Sequence, residues 1–215
     1  MIKGLIDLNR KLSRIFSERY IEFVRSGDYK QTLLYEINTF LKFRNYSFVL
    51  EVGGIDRPLL CRSEEIKYDG LDIENKEKCL EIYDNYYVQS IEEPLQNKYD
   101  LICSFALLEH VRDNNKSFQV MLDALINDGM MIHYLPSKYH PYSIILRVLG
   151  SKLAIKLLEI THPQIIGISG YPSFFNQCSV NDMQRLCNKI GFKAIKLFLI
   201  TELTFTLKYF SLSFF

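Results

Sequence analysis

The sequence predicts an α/β fold, doubly wound around a central, mostly parallel sheet, with helices on both faces and an antiparallel strand at the edge. Three observations carry that expectation. From Tyr46 onward, short apolar runs rich in β-formers alternate with longer charged segments, the pattern of βαβ units. Five such runs occur, as expected of a parallel sheet buried on both faces. The 215 residues can close one sizeable core, and no Pro/Gly/Ser-rich linker marks off a second.

Two helices open the chain in this reading. Residues 5–25 place Leu5, Leu8, Leu12, Ile15, Phe16 and Phe23 at mostly three- and four-residue spacings, and Ser26-Gly27-Asp28 breaks the period. A second stretch, 31–44, carries Leu34, Ile37 and Leu41 on a face shared with the preceding Leu33. Strands follow at Phe48-Val49-Leu50, 68–73, Tyr86-Tyr87-Val88, Leu101-Ile102-Cys103 and 130–134. The clearest helix between them is 115–126, where Phe118, Met121, Leu122 and Leu125 form a stripe that Asp128-Gly129 stops. The link over 92–98, with Pro94, reads as irregular. Near the end Ser179 caps a helix reaching about Lys189, Gly191 ends it, and 192–200 with 204–214 read as a hairpin on the sheet edge. The expected organisation is one domain: helices over 1–45, a core over 46–135, a cover over 136–178, and the terminal helix and hairpin over 179–215.

Twenty-six basic residues against twenty-five acidic ones leave a formal charge of +1, so no global field draws in a polyanion and bulk nucleic-acid binding is not expected. The five cysteines are scattered, without a Cys-x-x-Cys pair, and read as reduced thiols of a cytoplasmic protein rather than metal ligands. The first residues lack the apolar run of a secretory signal, and no stretch approaches a membrane span.

The strongest local signal is Val49-Leu50-Glu51-Val52-Gly53-Gly54, an apolar strand ending in an acidic residue and a glycine pair. Glycine lets the backbone turn sharply and approach a ligand with no Cβ in the way. Twenty-one residues after Glu51 comes Asp72, at the end of the next apolar run, where a carboxylate can accept from both hydroxyls of a ribose. Separately these residues read as a surface charge, an ordinary turn and a helix cap; their joint spacing favours a cofactor. A nicotinamide-type Gly-x-Gly-x-x-Gly loop would need glycines at 55 and 58, where the chain has Ile55 and Pro58.

With the segment Tyr99-Asp100-Leu101-Ile102-Cys103-Ser104-Phe105-Ala106-Leu107-Leu108-Glu109-His110-Val111 and the turn Asn127-Asp128-Gly129, the chain resembles the class I S-adenosylmethionine-dependent methyltransferases, particularly the branch with Leu-Glu-His-Val after strand four. The resemblance covers roughly residues 47–135. It implies the Rossmann-like fold of that class and S-adenosylmethionine as cofactor. By position it implies that Glu51 helps fix the methionine amino end, with Gly53 and Gly54 lining that part of the pocket. Asp72 matches the ribose-binding carboxylate and Ile73 the apolar residue beside the adenine. Ser90 and Ile91 fall where the family has an acidic-then-apolar pair at the adenine edge, and Ser104 and Phe105 where strand four faces the methionine moiety. Ile55 stands where another glycine is common, which bears on cofactor affinity, and Pro58 stiffens the loop.

Methyl transfer to a hydroxyl is helped by a base that removes its proton. His110, directly after strand four, is the candidate by position; packing beneath the cofactor or capping the following turn is the alternative. By alternation His133 points into a packed face. Tyr139 and His140, in the loop after strand five, offer a stacking surface and titratable groups on the sheet edge where such folds gather ligand contacts, though an aromatic loop packed on the core would look the same. The apolar, basic segment 143–160 reads as a helix buried on the sheet, a substrate lid, or a surface for peripheral membrane contact. The expected function is methyl transfer to a small-molecule or lipid-linked acceptor, at oxygen. The competing expectations are a non-catalytic, methyltransferase-like partner or membrane-surface adaptor, motivated by Ile55 and Ser90, and an RNA methyltransferase, against which the charge balance argues.

Overall fold

The computed structural model describes residues 23–26, 28–44, 46–139, 143, 144, 147, 148, 150, 171–192, 195–201 and 208–214. Strand β1 (Phe23–Ser26) leads into helix α1 (Tyr29–Leu41), then come β2 (Ser47–Val52), β3 (Ile66–Asp72), the short helix α2 (Cys79–Ile82) and β4 (Asn85–Val88). They are followed by β5 (Tyr99–Phe105), a 3-10 turn (Leu108–His110), α3 (Asn114–Ala124), β6 (Leu125–Pro136), α4 (Val180–Ile190), β7 (Ile195–Thr201) and β8 (Lys208–Phe214). All the strands join one sheet in the order β1-β7-β8-β6-β5-β2-β3-β4.

The five strands expected from the apolar runs, β4, β3, β2, β5 and β6, are mutually parallel. The antiparallel strand is β8, and it is not at the edge: it lies between β6 and β7, antiparallel to both, with β1 parallel to β7 on the outside. That corrects the expected edge strand. Because β8 is antiparallel to both neighbours, β7 points the same way as the parallel set, and its outer edge pairs with β1. The expected helix over 5–25 lies mostly outside the described residues, and its end is overturned, because Phe23 to Ser26 are strand, paired with Phe198 to Thr201.

Local chemistry sets the helix boundaries. Asp28 caps α1, accepting from the N–H groups of Lys30 (2.7 Å) and Gln31 (3.2 Å). Asp113 caps α3 in the same way, accepting from Asn115 and Lys116. Ser179 caps α4, whose end is Gly191 in the left-handed conformation (φ 101°). Helix α3 stops at Ala124, before the expected Asp128-Gly129, because Leu125 already pairs with Tyr99; the pairing then jumps to Leu101 with Met130, leaving 126–129 as a bulge.

Strand residues alternate between two cores. Leu50, Val52, Leu71, Ile102 and Met131 pack with Phe118 and Met121 of α3 and Met183 and Leu186 of α4. On the opposite face Val49, Tyr68, Leu101 and Ile132 pack with Leu33 and Ile37 of α1. Helices therefore cover both faces, and each fully buried leucine or phenylalanine contributes about 1.5–3 kcal/mol. The chain runs outward from β2 through β3 to β4, then crosses to β5 on the other side of β2. The reversal is a topological switch point at the carboxyl ends of β2 and β5, the position of the crevice where open α/β sheets bind ligands.

Candidate functional site

The glycine turn leaves β2 at that crevice. Gly53 has φ 85° and its N–H donates to the Leu71 carbonyl (2.8 Å). A Cβ on Gly54 would stand 2.1 Å from the Tyr83 hydroxyl oxygen and 2.5 Å from the Glu51 Cδ, so the turn passes directly over both side chains. Ile55, at the position where another glycine is common, adopts φ 41°. A β-branched residue there carries a steric cost of about 1–2 kcal/mol. Ile55 is held there by packing against the Val49, Leu59 and Tyr83 cluster.

Glu51 is buried beneath the turn. One carboxyl oxygen accepts from the Leu59 N–H (3.0 Å) and from the Tyr68 hydroxyl, and the Tyr83 hydroxyl lies beside it. Burial pushes its pKa up to about 8, against the smaller opposing effect of the Leu59 bond. Tyr68 and Tyr83, which sequence reasoning did not single out, thus share the neighbourhood of the motif's acidic residue.

Asp72 ends β3 on the crevice rim, largely buried, its carboxylate oriented by the Glu74 N–H (2.9 Å). Desolvation raises its pKa. Ile73 beside it is 64% exposed, an uncovered apolar surface next to the carboxylate. Ser90 is half-buried, and its hydroxyl accepts from the Glu92 N–H (3.1 Å) in the turn after β4. Ile91 is instead buried in the core with Leu50, Leu71 and Leu108.

At the end of β5, Ser104 is wholly buried, its hydroxyl 2.7 Å from Nδ1 of His133 across the parallel pair β5–β6. Burial pushes the His133 pKa down to about 3, so the pair is a neutral interior contact, as alternation suggested for His133. Phe105 is half-buried and stacks on Tyr134 (4.7 Å between centroids), which stacks on Tyr29.

The 3-10 turn after β5 carries Glu109 and His110. Glu109 is buried, its pKa pushed up to about 8 by desolvation, and its Oε2 has no hydrogen-bond partner. His110 is partly exposed, with Nδ1 3.1 Å from the Pro172 carbonyl oxygen and Nε2 3.8 Å from Oε1 of Glu109. Desolvation lowers its pKa, against the Pro172 contact and the charge of Asp72. Residues 171–177 lie against this turn: the Tyr171 ring meets the His110 ring edge-on at 6.1 Å, and Phe174 and Phe175 donate to the Glu109 carbonyl (2.8 and 3.0 Å). Pro163, Gly167, Gly170 and Pro172, inside the stretch expected as a cover, were the available signal for this loop. Tyr139 is 63% exposed after β6, and His140 lies outside the described residues. Among the described residues no cluster of side chains is arranged to hold a metal, and no helix is long and apolar enough to cross a membrane.

Among the described strands the sheet is parallel except for β8, a Rossmann-like architecture of the kind seen in solved methyltransferase structures. Solved structures are similar over most of the chain. The N-methyltransferase NodS from Bradyrhizobium japonicum WM9 matches 86% of this chain and 94% of its own, with a TM-score of 0.55 and 10% identity. The CMeT domain of the citrinin polyketide synthase matches 86% of this chain and 52% of that one (TM-score 0.59, 12% identity). Mycolic acid cyclopropane synthase CmaA1, complexed with SAH and CTAB, matches 76% and 61% (TM-score 0.51, 14% identity). At these identities the likeness is one of fold. No protein-family model matches the chain, and no curated protein matches its sequence.

Proposed function

We propose that the chain is an S-adenosylmethionine-dependent methyltransferase acting on a small-molecule or lipid-linked acceptor, at oxygen. The observation that carries the reading is that a rim carboxylate, Asp72 at the end of β3, and a histidine, His110 in the turn after β5, come to the same carboxyl edge of the sheet on either side of β2. Support for the cofactor comes from the similar structures, since NodS has been solved in complex with S-adenosyl-L-homocysteine.

The residues present fit that group. The Gly53-Gly54 turn presents backbone without a Cβ, Asp72 offers its carboxylate to ribose hydroxyls, and exposed Ile73 offers an apolar surface to the adenine. Ser90 supplies a polar edge in place of a carboxylate. Glu51, already engaged by Leu59 and Tyr68, supports the turn from beneath. When bound, the cofactor supplies a methyl group on a positively charged sulfur, an electrophile that needs no further activation. The chain's own work is then to position the acceptor, exclude water and take a proton. His110, kept neutral by its lowered pKa, is the base of this reading. The exposed apolar side chains of Tyr139, Ile144 and Val148 after β6 suit an apolar acceptor.

Calorimetric titration with S-adenosylmethionine and S-adenosylhomocysteine, beside the Asp72→Ala variant, tests the assignment. Micromolar binding, weakened about tenfold or more by the loss of a charge-assisted bond, is expected. Unchanged affinity in the variant removes Asp72 from the site. No binding up to millimolar ligand favours the second reading, a non-catalytic partner module, which the left-handed Ile55 and the engaged Glu51 carboxyl support.

A further inference from the structure

A carbonyl oxygen only accepts, so the 3.1 Å contact between Pro172 O and Nδ1 of His110 assigns the proton of the neutral ring to Nδ1. Ser173 Oγ lies 3.3 Å from the same nitrogen, and the Tyr171 ring stands edge-on to the imidazole. Nε2 is therefore the bare nitrogen, and what lies behind it is Oε1 of Glu109 at 3.8 Å, a carboxyl whose other oxygen is buried without a partner.

The segment making these contacts is fixed to the residues that flank the histidine. Phe174 and Phe175 both donate to the Glu109 carbonyl, Asn176 donates to Arg112 O (2.6 Å), Asn114 donates to Asn176 O (2.6 Å), and Phe175 is buried in the core. Six residues of loop thus close a small ring of bonds around the 3-10 turn. Packing alone would be indifferent to which ring nitrogen carries the proton; this arrangement is not.

We propose that residues 171–173 form a positioning clamp on His110, fixing Nδ1 as the protonated nitrogen so that Nε2 is the one that receives the acceptor's proton. This rests on the methyltransferase reading with His110 as base. In that step the acceptor oxygen forms a bond to the methyl carbon as the carbon–sulfur bond to the sulfonium breaks and leaves a neutral thioether, the acceptor O–H proton moves to Nε2, and the imidazolium returns it to water. The groups facing the ring are Glu109, Asp72, the Ser173 hydroxyl and the edge of the Tyr171 ring. Pro172, through its carbonyl, and Ser173 are positioning residues, as is Asn176, which acts through them.

The test is long-range proton–nitrogen NMR of the full, nitrogen-15-labelled chain, with His110 assigned by its disappearance in His110→Gln. The wild type is expected to show a protonated Nδ1 and a bare Nε2. Ser173→Ala and Asn176→Ala are expected to admit the Nε2-protonated form and, with the raising Pro172 contact loosened, to move the titration midpoint further below the ordinary 6.5, with Ser173→Thr restoring the wild-type state. A protonated Nε2 in the wild type overturns the clamp, as does a tautomer and midpoint indifferent to both substitutions. Calorimetry on the same samples separates the two readings. Nε2–H with cofactor binding intact overturns the clamp alone, whereas Nδ1–H without cofactor binding overturns the methyltransferase reading while the tautomer still supports the clamp.

Discussion

Replacing Glu51 by glutamine should flatten the dependence of folding stability on pH. Burial lifts both Glu51 and Glu109 from the ordinary 4.5 to about 8. An unfolded chain releases these two protons near pH 4.5, whereas the folded chain keeps them until about pH 8. Throughout that window the folded state binds more protons, so stability falls as the pH rises, by about 1.4 kcal/mol per pH unit for each group. His133 acts in the opposite sense: its pKa is pushed from 6.5 to about 3, so the unfolded chain binds the extra proton and stability falls as pH drops through that range. Above pH 6.5 the histidine contribution is constant, and the slope belongs to the carboxyls. From there to pH 8 each glutamate should remove about 2 kcal/mol.

Glutamine has the shape of a protonated glutamate, and its amide oxygen can accept from the Leu59 N–H and the Tyr68 hydroxyl as the carboxyl oxygen does. The variant should therefore be as stable as the wild type near pH 5 and more stable by several kcal/mol at pH 8, on the scale of the shift. Urea unfolding across this range, with Glu109→Gln and the double variant alongside, reads the two contributions separately. A wild-type slope in Glu51→Gln would refute the claim that Glu51 is held neutral under the turn.

Gly54→Ala should destabilise the chain by about 1–3 kcal/mol, because the new methyl meets the Tyr83 hydroxyl and the Glu51 carboxyl; Tyr83→Phe should recover part of that loss, and additive effects in thermal unfolding would count against the contact. Ser104→Ala should cost about 1–3 kcal/mol in urea unfolding by taking a buried partner from His133, while cofactor affinity stays unchanged; weakened binding at full stability would move Ser104 to the pocket instead.

The parallel core was legible because its strands are buried on both faces and their apolar runs stand out from charged neighbours. The placement of β8 was not, since periodicity announces a strand without naming its partners, and pairing Phe214 with both Met131 and Ile195 is a long-range choice. Phe23 satisfied a helical spacing by chance of position, and its strand depends on a partner 175 residues away, Phe198. Within the site, Ser104 shows the same limit. Alternation placed His133 in the interior, but only the register Ser104 opposite His133 puts the serine on that face with it. Glu109 and the loop from Tyr171 carried weak signals, because a buried carboxyl looks like a surface one in sequence and a Pro-containing loop does not reveal what it grips.

The glycine turn illustrates why a motif can be present for reasons of packing. Gly54 is required by Tyr83 and Glu51 beneath it, whatever the crevice holds, and Glu51 is consumed by Leu59 and Tyr68. Selection for folding alone would retain both. A substitution at either residue disturbs the core and the crevice together, so lost binding there would say little about ligand contact. Asp72 and Ile73 differ: the backbone bonds to the Asp72 carboxylate, from Glu74 and Ile73, come from its own turn, and Ile73 is mostly exposed. His110 differs again, with one ring nitrogen held and the other bare. These are the positions at which the demands of a ligand separate from the demands of the fold, and a binding or tautomer measurement there bears directly on function.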